Sequence, residues 1–507
     1  MHSTAEPLPR DQFNTELVSQ VRPPDWQNPE PADRYNMVII GAGTAGLVTA
    51  AGVAGLGGKV ALIERHLMGG DCLNTGCVPS KTIIRSSRVA QDIREAEAFG
   101  VHVPYEPVQI DFASVMERMR RLRAHISHHD SAKRFQQLGA DVFLGEARFV
   151  GPDSMEVAGK RLCFRKAVIA TGARPMVPPI PGLAEAGYLT NETVFNLTKR
   201  PERLAVIGGG PLGCELAQAF CRLGCRVTFV QKHPQFLPLE ERDAAQILGR
   251  VLERDGIDIR LNSGVEQISV SGKEKLVAVV SDGNKQTIAV DEIVVGVGRA
   301  PNVEGLNLEA ARVRYDTEKG VWVNDFLQTS NTRIYAAGDV CLQHKFTHMA
   351  EAAARIVVQN ALFLGRKRVS ALTVPWCTYT DPEIAHVGMY VTEARQKRID
   401  VKTFTIPLGD VDRAITDGEG DGFVKIHIRE GSDKIIGATI VARHAGEMIS
   451  EISLAMVAGV GLTTISTVIH PYPTQAEAIK RAADAYNRTR LKPWAKSLST
   501  RWLAWTR

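Results

Sequence analysis

Two stretches of the chain carry the same order of apolar and polar positions. MVIIGAGTAGLVTAAGVAGLGGKVALIERH runs from Met37 and LAVIGGGPLGCELAQAFCRLGCRVTFVQKH from Leu204, and they align without gaps. Each reads as a short β-branched strand, a Gly-rich turn, an Ala/Leu-rich helix, a Gly stop and a second apolar strand. The turns are Gly41-x-Gly43-x-x-Gly46 and Gly208-x-Gly210-x-x-Gly213. In such a turn the first glycine allows the tight bend and the second lets backbone approach a pyrophosphate. The third lets the helix pack on the strand, and the helix N-terminus faces the negative charge. A lone G-x-G-x-x-G is weak evidence, but two copies with both flanking strands predict two dinucleotide-binding units.

The ends of the second strands separate the copies. Glu64 stands 23 residues after Gly41, where a carboxylate hydrogen-bonds a ribose hydroxyl. At the same offset the second copy has Gln231, followed by Lys232 and His233, which suit a 2′-phosphate. The first copy therefore reads as an FAD site and the second as a nicotinamide site leaning to NADPH over NADH.

Elsewhere the pattern is less regular. Ile449 to Ile469 is nearly all apolar, but Glu451, Gly459 and Gly461 interrupt it. It predicts a buried helix followed by a strand rather than a membrane span. Residues 1–35 hold Pro7, Pro9, Pro23, Pro24, Pro29 and Pro31 and read as an extended arm. The tail from Arg488 interleaves basic residues with Trp494, Leu498, Trp502, Leu503 and Trp505. As a helix it would have a basic and an aromatic face, the pattern of an interfacial anchor; packing on its own or a partner subunit is the alternative.

At 507 residues, length implies two to four domains, and 44% hydrophobic with 23% charged residues is globular composition. The net charge is +5, yet Arg488, Arg490, Lys492, Lys496, Arg501 and Arg507 all lie in the last 20 residues. The rest is near −1, which removes the basic excess expected of a nucleic-acid binder. MHSTAEPLPRDQF lacks the apolar run of a secretory signal, pointing to the cytoplasm, with the inner membrane surface as a candidate contact for the tail.

Eight cysteines are too few for a secreted disulfide framework. Cys214, Cys221 and Cys225 read as packing residues and no metal site is expected. Cys72 and Cys77 differ: they lie in GGDCLNTGCVPSK, Gly69 to Lys81, as C-x4-C. The spacing admits a disulfide across a short loop, and neither sulfur has two further ligands nearby for zinc. Redox or metal chemistry is the expectation, with Lys81 and a helix N-terminus favouring thiolate.

GGDCLNTGCVPSK resembles the redox-active disulfide motif of the class I pyridine nucleotide–disulfide oxidoreductases, the family of glutathione reductase, dihydrolipoyl dehydrogenase and mercuric reductase. The resemblance spans roughly residues 36 to 488. It includes Ala170-Thr171-Gly172-Ala173-Arg174-Pro175, Gly296-Val297-Gly298-Arg299-Ala300-Pro301-Asn302, and Ala336-Ala337-Gly338-Asp339. It implies an α/β fold of two Rossmann-like dinucleotide-binding domains plus a C-terminal α+β dimerisation domain. The expected division is an arm over 1–35, an FAD-binding domain over 36–170 and 300–368, and an NAD(P)-binding domain over 171–299. A dimerisation domain over 369–488 and a tail over 489–507 follow.

By the same resemblance, Thr171, Gly172, Gly298 and Asp339 border the cofactors, Asp339 bonding the flavin ribityl chain. Lys81 and Glu215 form an ion pair beside the flavin. Electrons would pass from NAD(P)H through FAD to a Cys72–Cys77 disulfide, Cys77 being the thiol nearer the flavin and Cys72 the one that meets the acceptor. A homodimer is implied, acting on a small-molecule disulfide or a soft metal ion.

The chain departs from the disulfide reductases at its C-terminal motif. His470-Pro471-Tyr472-Pro473-Thr474-Gln475-Ala476-Glu477 puts Tyr472, not a histidine, five residues before Glu477, as in mercuric reductase. His470, two residues away, is the other candidate for proton transfer. No cysteine follows Cys377, whereas mercuric reductases carry a cysteine pair at the extreme C-terminus. The expected activity is thus an FAD-dependent NAD(P)H oxidoreductase with a redox-active disulfide. Mercuric-reductase-like and dihydrolipoyl-dehydrogenase-like enzymes are the alternatives, and a low-turnover redox-sensing flavoprotein a third.

Overall fold

The computed structural model describes residues 7–103, 109–491 and 493–507, so that the first six residues of the arm and Lys492 of the tail lie outside it. The chain divides into two compact units, Met1–Pro234 with Gly256–Leu372, and Gln235–Asp255 with Thr373–Arg507.

In the first unit, residues 12–21 form a helix, α1 (Gln12–Val21). A parallel sheet follows, from β1 (Tyr35–Ile40), β2 (Val60–Glu64), β3 (Ala140–Leu144) and the inner part of β6 (Lys160–Ile169). Antiparallel β4 (Ala147–Gly151) and β5 (Ser154–Val157) extend it beyond β6. The crossover from β1 to β2 is α2 (Thr44–Gly55). Met37 to Ile40 are all buried, the continuous apolar run expected of a strand covered on both faces.

A smaller parallel sheet repeats the design. It has β8 (Arg203–Ile207), β9 (Arg226–Val230), β10 (Asp258–Arg260) and β14 (Glu292–Val295), in the order β10-β9-β8-β14. An antiparallel meander of β11 (Ser263–Ser271), β12 (Glu274–Ser281) and β13 (Asn284–Val290) shares its core through Ile268, Val277 and Val290. A two-stranded ribbon, β7 (Ala173–Pro175) against β15 (Arg299–Pro301), carries the chain into and out of this sheet. Short strands β16 (Tyr315–Asp316) and β17 (Gly320–Val321) precede β18 (Ile334–Ala336), which adds parallel to β6.

The second unit is an antiparallel sheet of β19 (Pro375–Thr378), β20 (Glu383–Gly388), β21 (Val401–Pro407), β22 (Phe423–Arg429) and β23 (Ile435–Ala442), in the order β19-β20-β23-β22-β21. Helices Ala445–Ala458 and Glu477–Arg490 pack on it around Ile426, Ile440, Ile452 and Ile479. Two Rossmann-like units and an α+β unit are the architecture expected from the sequence.

Two expectations fail. The arm is not extended over its length. Its prolines flank a proline-free stretch in which Phe13, Leu17 and Val21 recur at helical spacing, and Asp11 caps the helix by accepting from the Asn14 amide at 2.8 Å. Leu17 and Val21 are wholly buried in the core of the first unit. Beyond the helix, Trp26 donates to the Val142 carbonyl at 3.1 Å and Asn28 brackets Leu144, so the arm is stitched to its own chain. The second failure is Ile449–Ile469. Its first part is helical as expected, but a left-handed Gly459 (φ +69°) ends the helix and a short helical turn, Leu462–Ile465, stands where a strand was expected. Glu451, the charge within that run, bonds His470 at 3.0 Å.

Candidate active site

The redox segment begins at Gly69, whose φ of +90° is left-handed and whose missing Cβ would fall 2.7 Å from Cβ of Leu73. A short helix, Gly70–Asn74, carries Cys72, and a 19-residue helix, α3 (Cys77–Glu95), has Cys77 as its first residue. Asn74 pins the turn by donating to the carbonyls of Met68 at 3.0 Å and Gly70 at 2.8 Å. The two cysteines are half-buried and near enough for each thiol to perturb the other.

That proximity divides the pair. The Cys77 thiol is lowered to about 6, first by the hydrogen bond from Cys72, then by Thr347 and Lys81, against burial. The Cys72 thiol is pushed up by the same bond and by burial. The negative charge of the pair is therefore favoured on Cys77 and the proton on Cys72. Thr347 Oγ1 lies 3.2 Å from Cys77 Sγ and opens the helix Thr347–Leu362. Nothing local in the sequence pointed to Thr347, which is 270 residues away.

Four residues along α3, Lys81 bonds Glu215 at 2.8 Å. Glu215 comes from α4 (Pro211–Arg222), the helix that follows the second glycine turn. Its side chain is only 5% exposed, so the ammonium is fixed against a desolvated carboxylate. The redox helix and the helix of the second glycine turn thus each contribute one charge to a single pair.

The glycine turns fit dinucleotides. A Cβ on Gly41 would strike the Ala170 carbonyl at 2.3 Å and one on Gly46 the Gly41 carbonyl at 1.8 Å; Gly208 and Gly213 are equally crowded. A Cβ on Gly43 would meet nothing nearer than 3.6 Å and one on Gly210 nothing nearer than 3.9 Å. In both turns the outer glycines are set by packing, while the middle one keeps open the space that a pyrophosphate would take. Glu64 ends β2 with one oxygen accepting from the Ala42 amide at 2.7 Å and the other from the His66 amide at 2.8 Å. Burial pushes this carboxyl up and the amides oppose it. Each oxygen keeps a lone pair for a ribose hydroxyl. Gln231 is buried beside Gly209 at the end of β9, with Lys232 and His233 exposed after it. Thr171 and Gly172 are clipped to the Gly298 motif, since Thr171 Oγ1 donates to the Asn302 carbonyl at 2.6 Å and the Asn302 amide to the Gly172 carbonyl at 3.0 Å.

One group was passed over in the sequence. Asp71, next to Cys72, pairs with Arg299, which also stands 3.5 Å from Asp339. Burial pushes the Asp339 carboxyl up and Arg299 opposes that. An acid adjoining a redox cysteine and an arginine inside a glycine motif were the available signals.

The C-terminal motif sits in the second unit. Tyr472 is 70% exposed, and its hydroxyl donates to Asp412 at 2.8 Å, which raises the phenol and lowers the carboxyl. Arg481 links Asp412, at 3.4 Å, to Glu477, at 3.0 Å. The His470 ring is turned inward between Glu451 and the Val468 carbonyl. Asp412 is thus the partner of Tyr472. Cys214 and Cys225 are buried, and among the described residues no cluster of His, Cys, Asp or Glu could hold a metal ion.

Residues 35–354 match the family described as pyridine nucleotide-disulphide oxidoreductase, and residues 374–483 match the dimerisation domain of that family, in line with the expected homodimer. The chain is 35% identical to a mercuric reductase of Lysinibacillus sphaericus, over 90% of this chain and 83% of that one. It is 32% identical to a dihydrolipoyl dehydrogenase of Thermus scotoductus, over 90% and 98%. Among solved structures, LpdA from Mycobacterium tuberculosis superimposes with a TM-score of 0.82 at 27% identity, covering 90% of this chain and all of that one. The HOCl-induced flavoprotein disulfide reductase RclA from Escherichia coli does so with 0.78 at 28% identity, covering 89% and 99%. With the repeated dinucleotide turns and the paired thiols already in view, these matches show that the chain belongs to the pyridine nucleotide–disulphide oxidoreductase family, enzymes that use FAD and NAD(P)H.

Proposed function

We propose that Cys72 and Cys77 are the exit for electrons and that the acceptor is a small disulfide or a soft metal ion. Bound FAD supplies the two-electron chemistry between NAD(P)H and the cysteine pair. The observation that carries the proposal is the placing of two cysteines either side of one turn, with Thr347 Oγ1 3.2 Å from Cys77 Sγ and the Lys81–Glu215 pair one helical turn further on. Cys77 keeps the charge, and Thr347 and Lys81 hold it there. Cys72 keeps the proton until an acceptor draws near, then attacks. With a disulfide, Cys72 gives up its proton as its sulfur bonds to one substrate sulfur, the other leaves as thiolate and takes that proton, and the Cys77 thiolate then closes the Cys72–Cys77 bond, expelling the second product as a thiolate that is protonated from solvent. With a divalent soft ion, both thiolates bind before two electrons reduce it to the metal.

Two observations favour the soft-ion reading as a second reading: Tyr472 stands where a disulfide reductase has histidine, and several relatives are mercuric reductases. RclA, moreover, has been solved as a Cu(II) complex. The test is an NADPH-oxidation screen against oxidised glutathione, lipoamide, Hg(II), Cu(II), quinones and oxygen. An anaerobic NADPH titration belongs with it: a thiolate–flavin charge-transfer band lost in Cys77→Ser is expected. No band in the wild type counts against every redox-disulfide reading. Turnover with none of the acceptors, band present, leaves the redox-sensing flavoprotein.

Gln231 in place of an acid, with exposed Lys232 and His233, supports NADPH as the donor. A tenfold or greater advantage in kcat/KM for NADH reverses that.

The tail supports peripheral contact with an anionic membrane. Helix Pro493–Trp505 is exposed throughout, and Trp494, Leu498, Trp502 and Trp505 fall on one face, with Lys496 on the opposite one. Among the described residues no helix is long and apolar enough to cross a membrane. The proposal places the enzyme in the cytoplasm, touching the inner surface. Truncation after Asn487 should abolish sedimentation with phosphatidylserine-containing liposomes; unchanged sedimentation ends the idea.

A further inference from the structure

Between α3 and the helix Phe112–Ser127 runs a cleft of about 430 Å³. Its walls are two stripes of equal spacing. Cys77, Lys81 and Arg85 lie on one helix, and Arg118, Leu122 and Ile126 on the other. Cys77, the partner of the attacking Cys72, is at one end of the first stripe, and Arg85 lies about 12 Å further along the axis at 1.5 Å per residue. Val78, Leu122 and Ile126 add apolar surface to the lining.

Among the described residues, three cations line this cleft and no acid does. Lys81 is matched by Glu215 from outside the lining. The two arginines are not matched in that way. Arg85 reaches only Asp92, at 3.9 Å between largely exposed side chains. Arg118 makes one long bond, 3.4 Å, to the Thr82 carbonyl. Two guanidinium groups on facing helices, with no carboxylate in the lining among the described residues, create a locally positive surface. Their planar donors suit a carboxylate, sulfonate or phosphate oxygen pair better than an ammonium would.

We propose that Arg85 and Arg118 form an anion subsite that selects acceptors carrying a fixed negative group, joined by a short apolar spacer to the atom that is reduced. The proposal rests on the reading that electrons leave through Cys72 and Cys77, and it assigns to that exit a substrate charge class.

The test uses the full-length flavoenzyme and three disulfides of equal chain length: 4,4′-dithiodibutyrate, the matching diol and the matching diamine. In wild type the dicarboxylate should have the lowest KM and the diamine the highest. Arg85→Gln with Arg118→Gln should raise KM for the dicarboxylate about tenfold, the loss of one charge-assisted contact, with kcat and the diol little changed. Equal effects on all three disulfides, or dissociation of the dimer in the double variant, would overturn the subsite.

A second measurement does not need turnover. The NADPH-reduced enzyme is alkylated in parallel with iodoacetate and iodoacetamide. The iodoacetate-to-iodoacetamide rate ratio should exceed that of a free thiol and fall several-fold in the double variant. An unchanged ratio rejects the subsite. If that ratio falls while no disulfide is turned over, the subsite stands and the acceptor reading is what fails.

Discussion

At Cys77 the chemistry turns on the position of one proton. An ordinary thiol is mostly protonated at pH 7, whereas this one is held at about 6, chiefly by the bond from Cys72. On the reduced enzyme, the alkylation rate at Cys77 should therefore follow a midpoint near pH 6. Cys72→Ala should move it upward toward an ordinary thiol, and Thr347→Val should move it the same way by less. A midpoint that stays put in Cys72→Ala means that the thiols do not share the proton. Much of this site was legible in the sequence, because Cys72, Cys77 and Lys81 lie within thirteen consecutive residues at spacings set by a turn and a helix. Glu215 was reachable only through the family resemblance. Thr347 and the Asp71–Arg299–Asp339 group were not reached, because their side chains meet only after three separate crossovers have folded. Tyr472 was found but its partner Asp412 was not, since two strands and two helices separate them in the chain.

Among the elements, the antiparallel sheet of the second unit carries a pH dependence. His386 on β20 is wholly buried between Trp376 and Tyr390, its Nδ1 2.9 Å from the Thr439 hydroxyl. Burial lowers it to about 3, so the folded unit refuses a proton that the unfolded chain takes up below about pH 6.5. Glu241 acts in the same direction. Burial would raise it, but His427 and Lys425 hold it at about 2, so the unfolded chain again binds the proton first. Stability is therefore full near neutrality and falls on acidification. His386 alone costs about 3 kcal/mol by pH 4.5. Thermal unfolding at pH 7.5 and 4.5 checks this, and His386→Gln should flatten the slope; an equal slope refutes the assignment. Elements were legible where the apolar period was clean, as in the two βαβ copies. They were misread where punctuation misled: prolines hid α1, and an apolar run past Gly459 looked like a strand although its backbone had already turned.

Across the whole molecule, the first residues of the chain reach the chemistry through two arginines. Arg120 bonds Asp11 at 2.5 Å. Arg123, 2% exposed, donates to Asn14 Oδ1 and to the Asn74 carbonyl of the redox segment, both at 2.7 Å. Asn14→Ala leaves part of a buried guanidinium unpaired and should destabilise the protein by about 2 kcal/mol, read as a lowered urea midpoint. Its thiol alkylation profile should shift as well, because the turn beside Cys72 loses its brace. A lowered midpoint with an unchanged profile would confine α1 to a packing role.

That brace has a practical side. The segment that steadies the cysteines from behind is made about a hundred residues before the helix it docks on, and it is held there by a few polar bonds over a small apolar stripe. Anything that tugs at Asp11 or Asn14, whether a fused tag, a bound antibody or a protease, acts on the sulfur chemistry from a distance. Preparations that differ only at that end should be compared for thiol reactivity before their turnover numbers are.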